Sequence, residues 1–442
     1  MIHGKRIVTA AGLTLLTVIV VSAGESDGRI PAAPQGMALR ATVLSQPQPR
    51  PRSPSSRLDA RLRKRIHFTY RPEVLAQANK QRAELLRDTI TLSFLLPDGK
   101  ETEPVSVQLR EFSWLVRPTY SLTNLTYAIS EDGLTALIRA RAQEFASAAL
   151  HSTIVHVEAR NGVLYASSDR VAQDGLRLDD GALSAAVQSA VRDGERVLRM
   201  SIRMDPGRIF NASGYELGSL EFLGEGLSNF EGSGNGRIAN VRKGIREHVN
   251  NALVPPGGTF SFNSTLGPVT LSRGWQNALT IFNGDVLLPA PGGGLCQVST
   301  TVYRAALNAG LPIVERTSHS LYVTYYEKYG LGVDAAIFPP GNQDLVFRND
   351  TADYLLLQAY DDGFEARVRI YGRPDGRRVV LQGPFLPHSS APTFPMRTVR
   401  SNEIAWIRTI TFADGREAMD TFLSRYKSLP QRLLTGKAVA YQ

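Results

Sequence analysis

From about residue 85 the apolar positions fall into periods that identify the elements carrying them. Thr89–Leu96 and Val105–Leu109 are short β-rich runs, and each predicts a strand. Ser130 precedes a stretch whose apolar residues, Leu134, Leu137, Ile138, Phe145 and Ala149, recur at helical spacing, so a helix capped by Ser130 is expected. Thr153–Ala159 and Val163–Ala166 flank Asn161-Gly162, a dipeptide suited to a two-residue hairpin turn because both positions need positive φ. Asp180–Arg192 reads as a second amphipathic helix. After it Leu198, Met200, Ile202 and Met204 alternate with Arg199, Ser201 and Arg203, the pattern of a half-buried strand.

Further along, Ile238, Val241, Ile245, Val249 and Ala252 predict a helix over Ile238–Val254, ended by Pro255-Pro256-Gly257-Gly258. Leu295, Val298, Val302, Ala306 and Ala309 predict another, closed by Gly310-Leu311-Pro312. Ser318–Tyr326 is strand-like, and Gly332–Phe338 opens the next strand. The fold class is therefore α+β. It divides into an N-terminal α+β module at 85–210, a second α+β domain at 211–371, and a β-rich extension at 372–442.

The start of the chain has a different character. Lys5 and Arg6 precede an uncharged run, Ile7 to Ser22, ending in Val21-Ser22-Ala23, so residues 1–23 read as a signal peptide or a membrane anchor. Residues 24–84 are rich in Pro and Arg and read as a disordered linker, because too few large apolar groups are present for a core. Arg57, Arg61, Arg63, Lys64 and Arg65 could adhere to an anionic membrane or wall polymer, or simply keep a spacer extended. Residues 1–80 hold 13 Lys and Arg against 4 Asp and Glu, while 37 of each remain elsewhere. The net charge of +9 thus belongs to the leader, and a nucleic-acid partner is not expected for the neutral body.

The chemistry centres on the single cysteine. Cys296 follows Gly292-Gly293-Gly294 and falls in or just before the first turn of the helix, where free backbone N–H groups and the helix dipole favour a thiolate. The three glycines let backbone approach a substrate carbonyl, and Gly292, Gly293, Gly294, Gln297 and Ser299 are the candidate binding residues. His319, sharing a face with Leu321, Val323 and Tyr325, is the candidate base, and Asp334 the orienting carboxylate, with Asp344 its rival. A cysteine on a helix N-terminus followed by His and Asp on strands is the order of transglutaminase- and papain-like thiol enzymes, which transfer acyl groups. No G-K-[ST] follows the glycines. Gly234-Asn235-Gly236-Arg237-Ile238-Ala239 matches a dinucleotide fingerprint without its strand or its acidic partner. His151 and His156 lack ligand-spaced companions, so no metal and no cofactor is expected.

Arg237-x-x-Asn240-Val241, Pro256–Asn263, Gly292–Thr301, His319-Ser320, Tyr325-Tyr326 and Asp334-Ala335 together resemble the VanW family over roughly Leu220–Tyr371. Glu327 replaces the family's usual proline. Residues 408–426 look like the tail such proteins carry, and the first module resembles, by element order, the wall-binding modules of bacterial envelope proteins. The resemblance implies an exported envelope protein associated with peptidoglycan or glycopeptide resistance. Two readings follow: a thiol acyltransferase or peptidase acting on wall peptides, or a non-catalytic peptidoglycan-binding or scaffold protein using the same residues as a polar core.

Overall fold

The computed structural model describes residues 69–282, 286–339, 342–387 and 394–434. The leader at 1–23 and most of the linker lie outside them. Within the expected linker, Pro72–Leu85 is an α-helix with Pro at its first position and Glu73 in its first turn. It is held to the body by Gln81, whose Oε1 accepts from the Tyr127 N–H at 3.0 Å. Among the described residues no helix is long and apolar enough to cross a membrane.

Several local expectations are met. The Ser130 hydroxyl accepts from Gly133 N–H at the start of helix Glu131–Ala142. Asn161 and Gly162 turn a hairpin at φ of 50° and 81°. Thr89–Leu95 runs parallel to Val197–Asp205 in a four-stranded sheet completed by Val105–Gln108 and Gly175–Leu178. Helix Asp180–Gln188 covers the expected position and continues into a wider turn to Asp193.

A second, seven-stranded sheet organises the molecule. Its strands are β1 (Ser152–Arg160), β2 (Val163–Ser168), β3 (Ile209–Asn211), β4 (Glu221–Asn229), β5 (Ala252–Val254), β6 (Leu355–Asp362) and β7 (Glu365–Gly372). They lie in the order β4-β7-β6-β5-β2-β1-β3. The division expected near residue 210 does not separate sheets. Ala252 and Leu253 of β5 pair with Tyr165 and Leu164 of β2, so the hairpin of the first module extends the sheet of the second. The described residues accordingly form one compact unit.

That pairing also shortens the helix expected over Ile238–Val254. The helix α1 is Asn235–Lys243, followed by a wider turn through Val249. Asn251 then takes a φ of 66°, its N–H donates to Leu357, and its carbonyl accepts from Ala166. Sheet pairing captures residues 252–254 because β5 fills the gap between β6 and β2.

The helix α2, Leu295–Asn308, lies across β4 and is buried along almost its whole length. Close approach is possible because β4 turns small residues towards it. A Cβ on Gly226 would stand 2.0 Å from the Thr301 carbonyl oxygen, and one on Gly224 would stand 2.5 Å from the Ala309 nitrogen. Ser228 shares a hydrogen bond with Thr301 at 2.7 Å. Val298, Val302, Ala305 and Ala306 thereby join Val368 and Ile370 in the main core. After β7 a meander of β8 (Arg378–Phe385), β9 (Glu403–Thr411) and β10 (Glu417–Arg425) forms the β-rich extension.

Gly226→Ala is expected to destabilise the fold at or beyond the upper end of the ~1–3 kcal/mol typical of overpacking, because the obstacle is backbone. Gly234→Ser, facing open space at the start of α1, should stay within about 0.5 kcal/mol. Urea midpoints of the two variants check this, and equal midpoints would refute the packing role of β4.

Candidate active site

Cys296 is the second residue of α2, behind Gly294 at a φ of 106°, and it is partly exposed. The Ile337 N–H donates to its sulfur at 3.5 Å, and the Ile337 carbonyl lies 3.6 Å away as an acceptor for the protonated thiol. The His319 ring neighbours the thiol and is coupled to it electrostatically. His319 Nδ1 meets Asp334 Oδ2 at 2.5 Å, which leaves Nε2 for the sulfur. The same carboxylate oxygen accepts from the His319 backbone N–H at 3.0 Å. The structure thus brings Cys296, His319 and Asp334 together. Asp344 is elsewhere engaged, accepting from the Ser261 hydroxyl and the Asn263 and Leu345 N–H groups, so it does not orient His319.

The strands expected to carry His319 and Asp334 are absent. Residues 324–329 form a 3-10 helix, and only single bridges, Thr317 to Ala336 and Phe338 to Gln343, connect the flanks. Side chains replace the ladder. Arg304, on the same helical stripe as Cys296 and Thr300, donates to the carbonyls of Leu227, Tyr326, Gly330 and Val333 at 2.7 to 3.1 Å. Arg316 donates to the carbonyls of Gly332, Asp334 and Leu423 and to Asp334 Oδ1, the last at 3.0 Å. Ser299 donates to the Ala335 carbonyl, and the Ala335 N–H donates to Thr300. An irregular buried segment is tolerated here because its backbone groups find side-chain partners.

The β-rich extension completes the carboxylate's surroundings. The Tyr426 hydroxyl donates to Asp334 Oδ1 at 3.0 Å, Ser424 donates to the Gly332 carbonyl, and Trp406 donates to the Leu331 carbonyl. Sequence reasoning missed Arg304, Arg316 and Tyr426. The four-residue steps Cys296, Thr300, Arg304 were a usable signal for the first. Nothing local marks Tyr426, which meets Asp334 across 92 positions.

The candidate binding residues have other work. Added Cβ atoms on Gly292, Gly293 and Gly294 would meet Val269, the Ala278 carbonyl and Arg237 at 2.4, 2.4 and 2.9 Å, so neighbouring residues pack against each glycine. Gln297 is buried, accepting from Arg237 at 2.6 Å and donating to Ser228 at 3.1 Å. Ser299 is committed to Ala335. These five residues pack the helix start. A cavity of about 750 Å³ lined by Tyr165, Lys243, His248, Arg273 and Trp275 touches none of the three central residues. Among the described residues no group of three His, Cys, Asp or Glu side chains is arranged to hold a metal ion.

The electrostatics follow from this geometry. Burial works to raise Cys296, but the hydrogen bond and charge of His319, the Ile337 N–H and the charge of Arg237 outweigh it and lower the thiol below its ordinary value. Burial opposes a charged imidazole, yet Tyr326, Asp334 and Cys296 raise His319 well above its ordinary value. Burial also opposes ionisation of Asp334, while His319 and Arg316 pull it down to about 2.

Residues 236–371 match the family model described as VanW like protein. The chain is 34% identical over 153 residues to the uncharacterized protein YoaR of Bacillus subtilis (strain 168), covering 35% of this chain and 48% of that one. It is 33% identical over 117 residues to the Vancomycin B-type resistance protein VanW of Enterococcus faecalis (strain ATCC 700802 / V583), covering 26% of this chain and 42% of that one. The chain thus spans less than half the length of either relative. No solved structure matches it. The matched family segment contains Cys296, His319 and Asp334 but not Tyr426.

Because folding lowers the Asp334 value from 3.8 to about 2, its ionised form adds stability that is complete above about pH 4 and lost as pH falls towards 2. The difference corresponds to roughly 2 kcal/mol. Wild-type urea midpoints should fall across that window, and Asp334→Asn, less stable at neutral pH, should fall less. Parallel curves would show that Asp334 is not held as an ionised partner.

Proposed function

Residues 236–371 belong to the VanW family, and on that premise we propose that the chain is an extracytoplasmic protein of the cell envelope whose thiol site transfers acyl groups of peptidoglycan peptides. One observation carries the reading: a partly exposed thiol electrostatically coupled to a histidine whose Nδ1 is hydrogen bonded to a buried carboxylate. Export is supported by the basic, then apolar, then small-residue order of positions 1–23. A relative named as a vancomycin resistance protein supports the envelope as the place of action.

The chemistry is nucleophilic acyl transfer. The Cys296 thiolate attacks an amide carbonyl and forms a carbon–sulfur bond. Charge moves to the carbonyl oxygen, towards the Cys296 backbone N–H, since its neighbours Leu295 and Gln297 already donate to Gly292 and Gly294. His319 gives its proton to the departing amine as the carbon–nitrogen bond breaks and a thioester remains. Water or an amine then attacks, His319 takes its proton, and the thiolate leaves. Asp334 stays ionised throughout and keeps the ring turned with Nε2 towards sulfur. Arg316 and Tyr426 hold the carboxylate in place.

Incubating the purified protein with muropeptides and following products by mass spectrometry tests this. Wild type should release or exchange a peptide product, while Cys296→Ala, normally folded and still bound to sacculi, should yield none. Equal product from both proteins, or none from either together with intact wall binding, would favour a wall-binding scaffold.

A further inference from the structure

The proposed thiol site is short of negative charge. The charged groups around it are the cations His319, Arg237, Arg304 and Arg316 and the anions Cys296 and Asp334. Arg316 pairs with Asp334. Arg304 is buried and fully occupied by four backbone carbonyls. Arg237 differs from both. Its Nε donates to the Ser233 hydroxyl at 3.1 Å and its Nη2 to Gln297 at 2.6 Å, both neutral acceptors. Among the described residues no carboxylate lies within salt-bridge distance of it, whereas neighbouring Arg242 and Arg246 share Asp361.

Its placement suits a ligand. Arg237 lies across the start of α2, where its Cγ would be 2.9 Å from a Cβ on Gly294, two residues before the thiol. Its guanidinium sits over the Tyr325 ring at 5.2 Å, and that ring is 43% exposed. Among the described residues its Nη1 has no hydrogen-bond partner, so this part-buried guanidinium keeps N–H donors for a carboxylate, which it binds with more directional geometry than a lysine would.

We infer that Arg237 receives a carboxylate of the acyl donor, so that the substrate is a peptide carrying a free carboxylate close to the bond attacked. This rests on the acyl-transfer reading of the same site. It makes the terminal residue of a wall peptide, and not an internal amide of a crosslinked chain, the recognised group. Arg237 is then a specificity residue, and its charge also favours the thiolate.

The test uses two small alkylating agents of nearly equal size, anionic iodoacetate and neutral iodoacetamide. In both, the Cys296 sulfur forms a bond to carbon and iodide leaves. The ratio of their rates cancels the fraction of thiolate and isolates recognition of the carboxylate. In the wild-type chain the iodoacetate-to-iodoacetamide ratio should exceed that of N-acetylcysteine by about tenfold, the effect of a charge-assisted hydrogen bond. Arg237→Gln should bring it to the free-thiol value, and Arg237→Lys should keep part of the gain. A wild-type ratio equal to that of N-acetylcysteine overturns the inference whether or not the Gln variant folds, and so does an unchanged ratio in a folded Gln variant. Iodoacetamide reacting no faster with wild type than with N-acetylcysteine would instead overturn the activated thiol itself.

Discussion

The buried carboxylate of Asp334 is the constraint around which the site is arranged. A charge only 1% exposed must be paired and fully hydrogen bonded, or folding would leave it protonated. Four donors meet that demand: the His319 ring, the His319 backbone N–H, Arg316 and Tyr426. They come from two separate stretches of chain, Arg316–His319 and Tyr426, so satisfying one carboxylate ties the histidine loop to the β-rich extension. The same pairing raises the histidine and, through it, lowers the thiol.

The sulfur's own position depends on a different contact. The helix α2 reaches its place by lying against the glycine-bearing face of β4, where any larger side chain would strike helix backbone. Its first turn is fixed from the other side by Asn240, which donates to the carbonyls of Gln276 and Gly293, and by Arg237 through Gln297. Cys296 is therefore set on a rigid element, and the irregular loop bearing His319 and Asp334 is brought to it by Arg304 from that same helix. A rigid nucleophile and a histidine oriented by a fixed carboxylate are what an acyl-transfer site needs.

Features decided by a few neighbouring residues were legible in the sequence. The Asn161-Gly162 turn, the Ser130 cap and the Cys296 helix all depend on local chemistry, and each is found where expected. The proximity of Cys296, His319 and Asp334 was legible too, from a single cysteine at a glycine-to-helix junction followed by a histidine and an aspartate. What escaped was decided at long range. Residues 252–254 look helical by spacing, yet they complete a sheet whose partners lie about 90 and 100 positions away. The loop from 318 to 338 alternates like a strand, but arginines from elsewhere occupy its carbonyls. Gly292 to Gly294 suggested room for a ligand, and Val269, Ala278 and Arg237 pack against them.

The central claim is that His319, held by Asp334, keeps Cys296 as a thiolate. It is tested most directly by titrating the ultraviolet absorption of the thiolate as a difference between wild type and Cys296→Ala, which cancels the 15 tyrosines and leaves the single cysteine. The wild-type midpoint should fall below the ordinary thiol value of about 8.5 and rise in His319→Gln. A wild-type midpoint at or above that value, unmoved by the substitution, would contradict the account.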